Sequence, residues 1–209
     1  MKMLRIILLM FCVGCFMNGY SQMTRVSSTQ DDIMSLSWEI AFPTNNNYLT
    51  KTSFAGGRFE YRKMIKPTFS VGLAVSWNSF DQYFGTNTYQ TSSGSQAVTT
   101  DMVRQIYTVP ITATAHYYPQ TSNKILKPFL GVGVGTEYAE QNSYFNIYAL
   151  TSNNWGFVVR PEIGTLITFN HYWSGLITGS YNYATNKNNA YKISGLSQWA
   201  LNIGIAWRF

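Results

Sequence analysis

The chain has 209 residues and a formal net charge of +6, with 11% charged and 16% aromatic residues. Soluble domains average about 25% charged residues, so an ordinary water-facing globule is disfavoured. Basic residues form no stripe interleaved with exposed aromatics, which leaves nucleic-acid binding without support.

The amino-terminal 21 residues read as a signal peptide. Lys2 and Arg5 supply a positive start, and Ile6 to Phe16 is an apolar stretch too short to span a bilayer as a helix. Gly19-Tyr20-Ser21 places small residues at the −3 and −1 positions of a cleavage site, leaving Gln22 first; the competing reading is an amino-terminal anchor helix. Cleavage removes two of the 15 Lys and Arg, so 13 bases face 9 acids and the mature charge is +4. Both cysteines, Cys12 and Cys15, leave with the signal, which excludes a disulfide framework, a thiolate metal site and a cysteine nucleophile. Cys15 as a lipidation site is a minor alternative, because Phe11-Cys12-Val13-Gly14 lacks the usual leucine. Residues 22–34 are expected to be a short periplasmic segment, and 35–209 one barrel domain.

Eight strands are predicted from period-two alternation. The first, Ser35 to Phe42, puts Leu36, Trp38, Ile40 and Phe42 on one face, and Pro43-Thr44-Asn45-Asn46-Asn47 breaks it. The second, Thr52 to Lys63, points Gly57, Phe59 and Tyr61 outward and Arg58, Glu60 and Arg62 inward. A tight turn at Ile65-Lys66-Pro67 leads to the third, Thr68 to Phe80, where Phe69, Val71, Leu73, Val75 and Trp77 alternate with small residues. Asp81 to Asp101 reads as a long polar loop without regular structure, of the kind that is functional or mobile. The fourth strand, Gln105 to Tyr118, shows Tyr107, Val109, Ile111 and Tyr117 on its apolar face, and Pro110 hints at a bulge.

After a turn at Gln120 to Lys127, the fifth strand starts at Pro128 with Leu130, Val132 and Val134 outward and Gly131, Gly133, Gly135 and Glu137 inward. A polar, aromatic loop, Glu140 to Asn153, precedes the sixth, Asn154 to Phe169, with Arg160, Glu162 and Gly164 inward. Asn170-His171-Tyr172 is a short turn before the seventh, Trp173 to Ala184, and Thr185 to Ser194 is a polar loop. In the last strand every odd residue from Trp199 to Phe209 is large and apolar and every even one small or polar. Connections alternate long and short, as in bacterial barrels with short periplasmic turns and longer outer loops. The fold class expected is all-β, an eight-stranded antiparallel up-and-down transmembrane barrel, with both termini periplasmic and no room for a further domain after Phe209.

Lys127-Pro128-Phe129-Leu130-Gly131-Val132-Gly133-Val134-Gly135 and Arg160-Pro161-Glu162-Ile163-Gly164 resemble consecutive strands of the small outer-membrane barrels of the OmpA-barrel and OmpW type. The Ser-Gln end of the signal segment resembles Bacteroidetes-type exports. The resemblance covers nearly all of Ser35 to Phe209. It implies residence in the outer membrane of a Gram-negative bacterium, contact with outer-membrane lipid and lipopolysaccharide, and delivery by the barrel-assembly machinery. The assembly signal would be Ile205, Trp207 and the terminal Phe209. A monomer is expected.

An eight-stranded barrel leaves only side-chain room inside, and isolated buried charges are prohibitive. Glu39, Arg58, Glu60, Arg62, Glu137, Arg160 and Glu162 are therefore expected to pair into a lumenal network, with Gly131, Gly133 and Gly135 making room for the arginines. The same residues lining an ion path is the alternative. Trp38, Tyr61, Trp77, Tyr107, Tyr117, Trp155, Trp173 and Tyr181 are the candidate interfacial girdle. Lys63, Lys66, Lys124 and Lys127 fall on the short turns as a rim touching lipid phosphates. No cofactor, metal or catalytic residue is expected: His116 is inward and His171 lies in a turn, neither with a Cys, Asp or Glu partner at ligand spacing. Asp81 and Asp101 read as solvated loop charge, or at most a weak cation site. The leading reading is a closed structural or surface-interaction barrel. The alternatives are an OmpW-like conduit for small or apolar solutes, with Pro110 and Pro161 permitting an exit through the wall, and a soluble lipocalin-like binder.

Overall fold

A computed structural model describes residues 32–44, 48–90, 97–123, 125–145, 148–188, 193 and 195–209. The expected signal peptide, its cleavage after Ser21, Cys12, Cys15, the Ser-Gln cue and Lys124 lie outside them. Eight strands follow in order: β1 (Asp32–Thr44), β2 (Ser53–Lys66), β3 (Phe69–Gln90), β4 (Ala97–Tyr117), β5 (Leu126–Phe145), β6 (Tyr148–Thr168), β7 (Trp173–Ala184) and β8 (Ser197–Arg208). Each pairs antiparallel with its neighbours and β8 closes on β1, giving one closed barrel. Closure runs to the last residue, where Asp32 and Phe209 exchange backbone hydrogen bonds of 3.0 Å in both directions. β1 begins at Asp32 rather than Ser35, because β8 is long enough to pair Ile33 with Arg208.

The outer wall follows the alternation. Leu36, Leu73, Trp77, Leu130, Phe157, Ile163, Ile203 and Ile205 all face outward and exposed. On β8 the outward run from Trp199 to Trp207 covers eight steps, roughly 26 Å of strand. That suits the apolar band of about 25 Å expected of a membrane barrel. The wall is apolar outside and polar inside, the reverse of a soluble lipid-binding barrel.

Two expected loops are strands instead. β3 continues thirteen residues past Trp77 and pairs with β4 up to Gln90 opposite Ala97. β5 and β6 likewise continue to Phe145 opposite Tyr148, and β4 remains paired with β5 as far as Val103 opposite Tyr144. Asp81 to Asp101 and Glu140 to Asn153 are thus largely one four-stranded sheet beyond the barrel wall. Its inner face is partly buried and lined by polar residues such as Gln141 and Ser143, so no apolar alternation marks it, while its Thr, Tyr and Val content favours extended backbone.

Pro110 makes no bulge. The β3–β4 ladder lacks partners at Ser76 and Trp77, opposite Pro110 and Val109, then resumes in the same register. Pro161 does the same on the β7 side, between Val159 paired with Tyr183 and Glu162 paired with Ser180. Each proline removes its own N–H from one ladder while the other side of the strand stays paired without interruption.

Candidate functional site: a layered lumen

The lumen holds three layers. Nearest the chain termini is an apolar floor of Ile33, Tyr118, Phe129, Leu166, Leu176 and Ala206. At the opposite end is an apolar roof that includes Phe80, Ile106, Val158, Ala184, Tyr48 and Leu49. Between them lies the charged layer. Neither apolar layer was anticipated from sequence, although parity carried the signal. Phe129 shares the inward parity of Gly131, Leu166 that of Glu162, and Ile106 that of Thr108.

All seven inward charges are buried, none above 5% exposed. On β2, inward positions recur every second residue, so Glu60 sits between two arginines. Its Oε2 receives Arg58 Nη2 at 3.1 Å and Arg62 Nη2 at 2.9 Å. The shortest arginine–carboxylate ties across the barrel are two. Arg58 Nη1 reaches Glu162 Oε2 on β6 at 3.0 Å, and Arg160 Nη2 on β6 reaches Glu39 Oε2 on β1 at 2.6 Å. Neutral side chains fill in around them. Asn78 donates to Glu39 Oε1 (2.7 Å), Thr114 to Glu60 Oε1 (3.1 Å), and Arg160 to Ser76 Oγ (3.3 Å). The Asn202 amide, turned to donate to Glu39 Oε2 at 2.7 Å, accepts from Arg160 at 3.0 Å. Arg62 also lies 4.5 Å above the Phe129 ring and donates to Tyr118 Oη at 3.3 Å, joining the charged layer to the floor. Removing charges from water this way is tolerable because opposite charges meet, even though Arg58 Nη1, Arg62 Nε, Arg160 Nε and Glu162 Oε2 form no hydrogen bond.

One expected member stands apart. Glu137 forms no ion pair among the described residues, and its Oε1 has no hydrogen-bond partner. The other six charges each form at least one ion pair. Glu137 sits on β5 opposite Pro110 and Gly156, with no long basic side chain directly across either ladder.

His116 joins the network instead. Its Nε2 contacts Glu162 Oε1 and lies 3.4 Å from Glu60 Oε1. Sequence spacing hid this, because 46 residues separate His116 from Glu162. Register explains it: Gly131 on β5 pairs with His116 on one side and Glu162 on the other. A Cβ at Gly131 would lie 2.5 Å from His116 Cδ2 and 2.8 Å from Glu162 Cγ. The missing side chain lets the two meet, so Gly131 makes room for the histidine–glutamate pair and not for an arginine. Gly133 and Gly135 face Thr112, Thr114 and the Ile111–Thr112 backbone.

Donor atoms of Glu60, His116 and Glu162 lie within 4.8 Å of one another, close enough to hold a metal ion. The same two carboxylates already form ion pairs with Arg58 and Arg62, whose charges repel a cation. The arrangement suits an ion-pair network better than a metal centre.

The roof is finished by the β1–β2 connection. Tyr48 donates to the Asn142 carbonyl (3.0 Å) and bonds Ser143 Oγ at 2.6 Å, from across the mouth. Arg104 lies between the Tyr48 and Phe84 rings, 4.8 and 4.6 Å from their centroids.

The aromatic candidates sort into two belts. Trp38, Trp77, Tyr107, Trp155 and Tyr181 sit toward the roof; Tyr61, Tyr117 and Trp173 sit toward the termini, and all face outward. Ile205, Trp207 and Phe209 are half-exposed on the outer wall, with Trp207 stacked near Trp173 at 6.3 Å. Trp77 lies flat against Gly57, where an added Cβ would come within 2.5 Å of the indole. Asp81 bonds Gln105 while Asp101 is four residues further along β4, so the structure does not bring those two acids together. His171 packs edge-on against Tyr172 in its turn, ring centroids 5.1 Å apart.

No family model matches the chain, and no curated protein matches it by sequence. Solved structures do match. Neisserial surface protein A aligns with a TM-score of 0.56 at 15% identity, over 87% of this chain and 98% of that one. A major outer membrane protein from Thermus thermophilus aligns with a TM-score of 0.56 at 13% identity, over 86% and 99%. Ail, the attachment invasion locus protein of Yersinia pestis, solved in complex with the heparin analogue sucrose octasulfate, aligns at 0.51 and 15% identity, over 87% and 100%. At these identities the likeness concerns architecture. The chain has the fold of the small eight-stranded outer-membrane β-barrels.

Proposed function

We propose that the chain is an integral outer-membrane protein whose barrel is a sealed anchor and whose projecting hairpins form a surface for partners. The observation that carries this reading is the lumen: arginines tie opposite walls together between an apolar floor and an apolar roof. A barrel filled in this way has no use for its interior as a path. Its accessible part is the β3–β6 sheet. Past Ser79, β3 is paired by a strand only on its β4 side among the described residues, whereas the matching edge of β6 is met by residues 185–188, with Asn154 Nδ2 donating to the Lys187 carbonyl at 2.8 Å. Exposed strand edges recruit extended segments of partners.

Termini and short turns face the periplasm in this reading, and the long hairpins face outward. The outer wall contacts outer-membrane lipid and lipopolysaccharide, and the terminal strand with Ile205, Trp207 and Phe209 is the element read by the barrel-assembly machinery. The role is structural and not catalytic. His116 is locked between two carboxylates inside the sealed lumen, out of reach of a substrate. The prolines do not favour an exit through the wall, since pairing resumes in register beyond each.

An epitope inserted between residues 91 and 96 tests the reading. Antibody should bind it on intact cells, and the protein should migrate differently on gels before and after boiling. An epitope reached only after the outer membrane is permeabilised contradicts the orientation, and a soluble periplasmic product contradicts the reading as a whole.

A further inference from the structure

Below the apolar floor, the barrel mouth on the side of the termini opens into a cavity of about 530 Å3. Small-molecule sites occupy roughly 300–1,000 Å3 and combine apolar walls with a few convergent polar groups. The inner wall here is apolar: Ile33, Met64, Tyr118 and Leu166. Around it stand Lys66, Lys127 and Arg208, contributed by β2, β5 and β8, and no aspartate or glutamate is among its lining residues. Charge is unevenly spread over the two ends. Outside the lumen, the terminus end carries Lys63, Lys66, Lys127 and Arg208 against Asp32. The hairpin end carries Lys51, Arg104 and Lys187 against Asp81, Asp101 and Glu140, among the described residues. Three basic residues bordering an apolar recess suit a molecule with an anionic head and a hydrocarbon body. The floor limits how deep such a body goes, because Leu166, Phe129 and Ile33 are packed and the arginine layer lies behind them.

We infer that this mouth is a binding site for a singly anionic amphiphile. Its acyl chain lies against Met64, Tyr118 and Leu166, and its head group meets Lys66, Lys127 and Arg208. The head is a carboxylate or a phosphate, from a free fatty acid or from an anionic phospholipid of the adjoining leaflet. The site does not depend on which way the barrel faces.

The test uses the full-length refolded protein in phosphatidylcholine nanodiscs and a twelve-carbon carboxylate carrying a diazirine near its tail. Photolabelled residues are mapped by mass spectrometry. The expected result is saturable labelling at Met64, Tyr118 or Leu166, all on the inner side of the wall, beyond the background on lipid-facing residues such as Tyr117. A twelve-carbon trimethylammonium probe should label these sites at least tenfold less. The variant Lys66→Glu with Lys127→Glu should lose labelling by a similar factor, while Lys66→Arg with Lys127→Arg keeps it; both are first checked for the heat-dependent gel shift of the folded barrel. Adding phosphatidylglycerol to the discs separates the sources. Competition supports the lipid head as occupant, and its absence supports the free acid. Labelling confined to outward residues overturns the inference. So does equal labelling by the cationic probe, or full labelling of the folded Glu variant.

Discussion

The outer wall and the lumen of this barrel are built on the same strands from alternate residues, yet they place opposite demands on sequence. Outside, any large apolar side chain serves, because lipid makes no directional contacts: Leu73, Val75, Ile163 and Ile203 are interchangeable in kind. Inside, each polar group needs a particular partner from another strand. Glu39 is met by Arg160, Asn78 and Asn202, from β6, β3 and β8. The wall tolerates changes of shape and rejects charge, whereas the lumen holds charge and rejects the loss of a partner.

The largest effect should come from orphaning a lumenal charge. Glu39→Leu leaves Arg160 without its cross-barrel partner, and removing one member of a buried pair costs about 3–5 kcal/mol. Denaturant unfolding in lipid vesicles would measure it, and a loss below about 1 kcal/mol would erase the contrast between the two faces. Next comes charge placed on the wall. Val75→Arg, outward and well between the two aromatic belts, should cost about 2–4 kcal/mol by the same assay. A glycine pair sharpens the comparison at constant chemistry. Gly131→Ala drives a methyl into the His116–Glu162 contact, an overpacking worth about 1–3 kcal/mol. Gly179→Ala meets nothing within 4 Å on the lipid face and should be neutral or stabilising by up to about 1 kcal/mol. The smallest effect belongs to the projecting sheet: Tyr83→Ser, on an exposed side chain, should stay within about 0.5 kcal/mol.

The same contrast explains what was legible in the sequence. The wall repeats one rule eight times, so strand number and facing follow from period two alone. The identity of the inward charges followed from parity as well. Their partners did not, because pairing across the lumen depends on stagger between distant strands. Arg160 and Glu39 are 121 residues apart, and His116 meets Glu162 only over the bare backbone of Gly131. That is also why Glu137 could be placed inward without its lack of an ion-pair partner being visible. The apolar floor and roof were missed for a different reason. Residues such as Phe129 and Leu166 sit on the polar parity of strands whose apolar face was already accounted for. The hairpin extensions were hidden because their buried face is largely polar and carries no apolar alternation, leaving only their Thr, Tyr and Val content as a cue.

The central claim is that the lumen is closed, and conductance tests it most directly. Purified wild-type protein, refolded and inserted into a planar bilayer, should show no steady single-channel current, because the apolar floor and roof bracket the arginine layer. Arg160→Ala, recorded alongside, removes one of the cross-barrel ties. Steady wild-type current that changes with Arg160→Ala would contradict the account and make the inward charges the lining of a path.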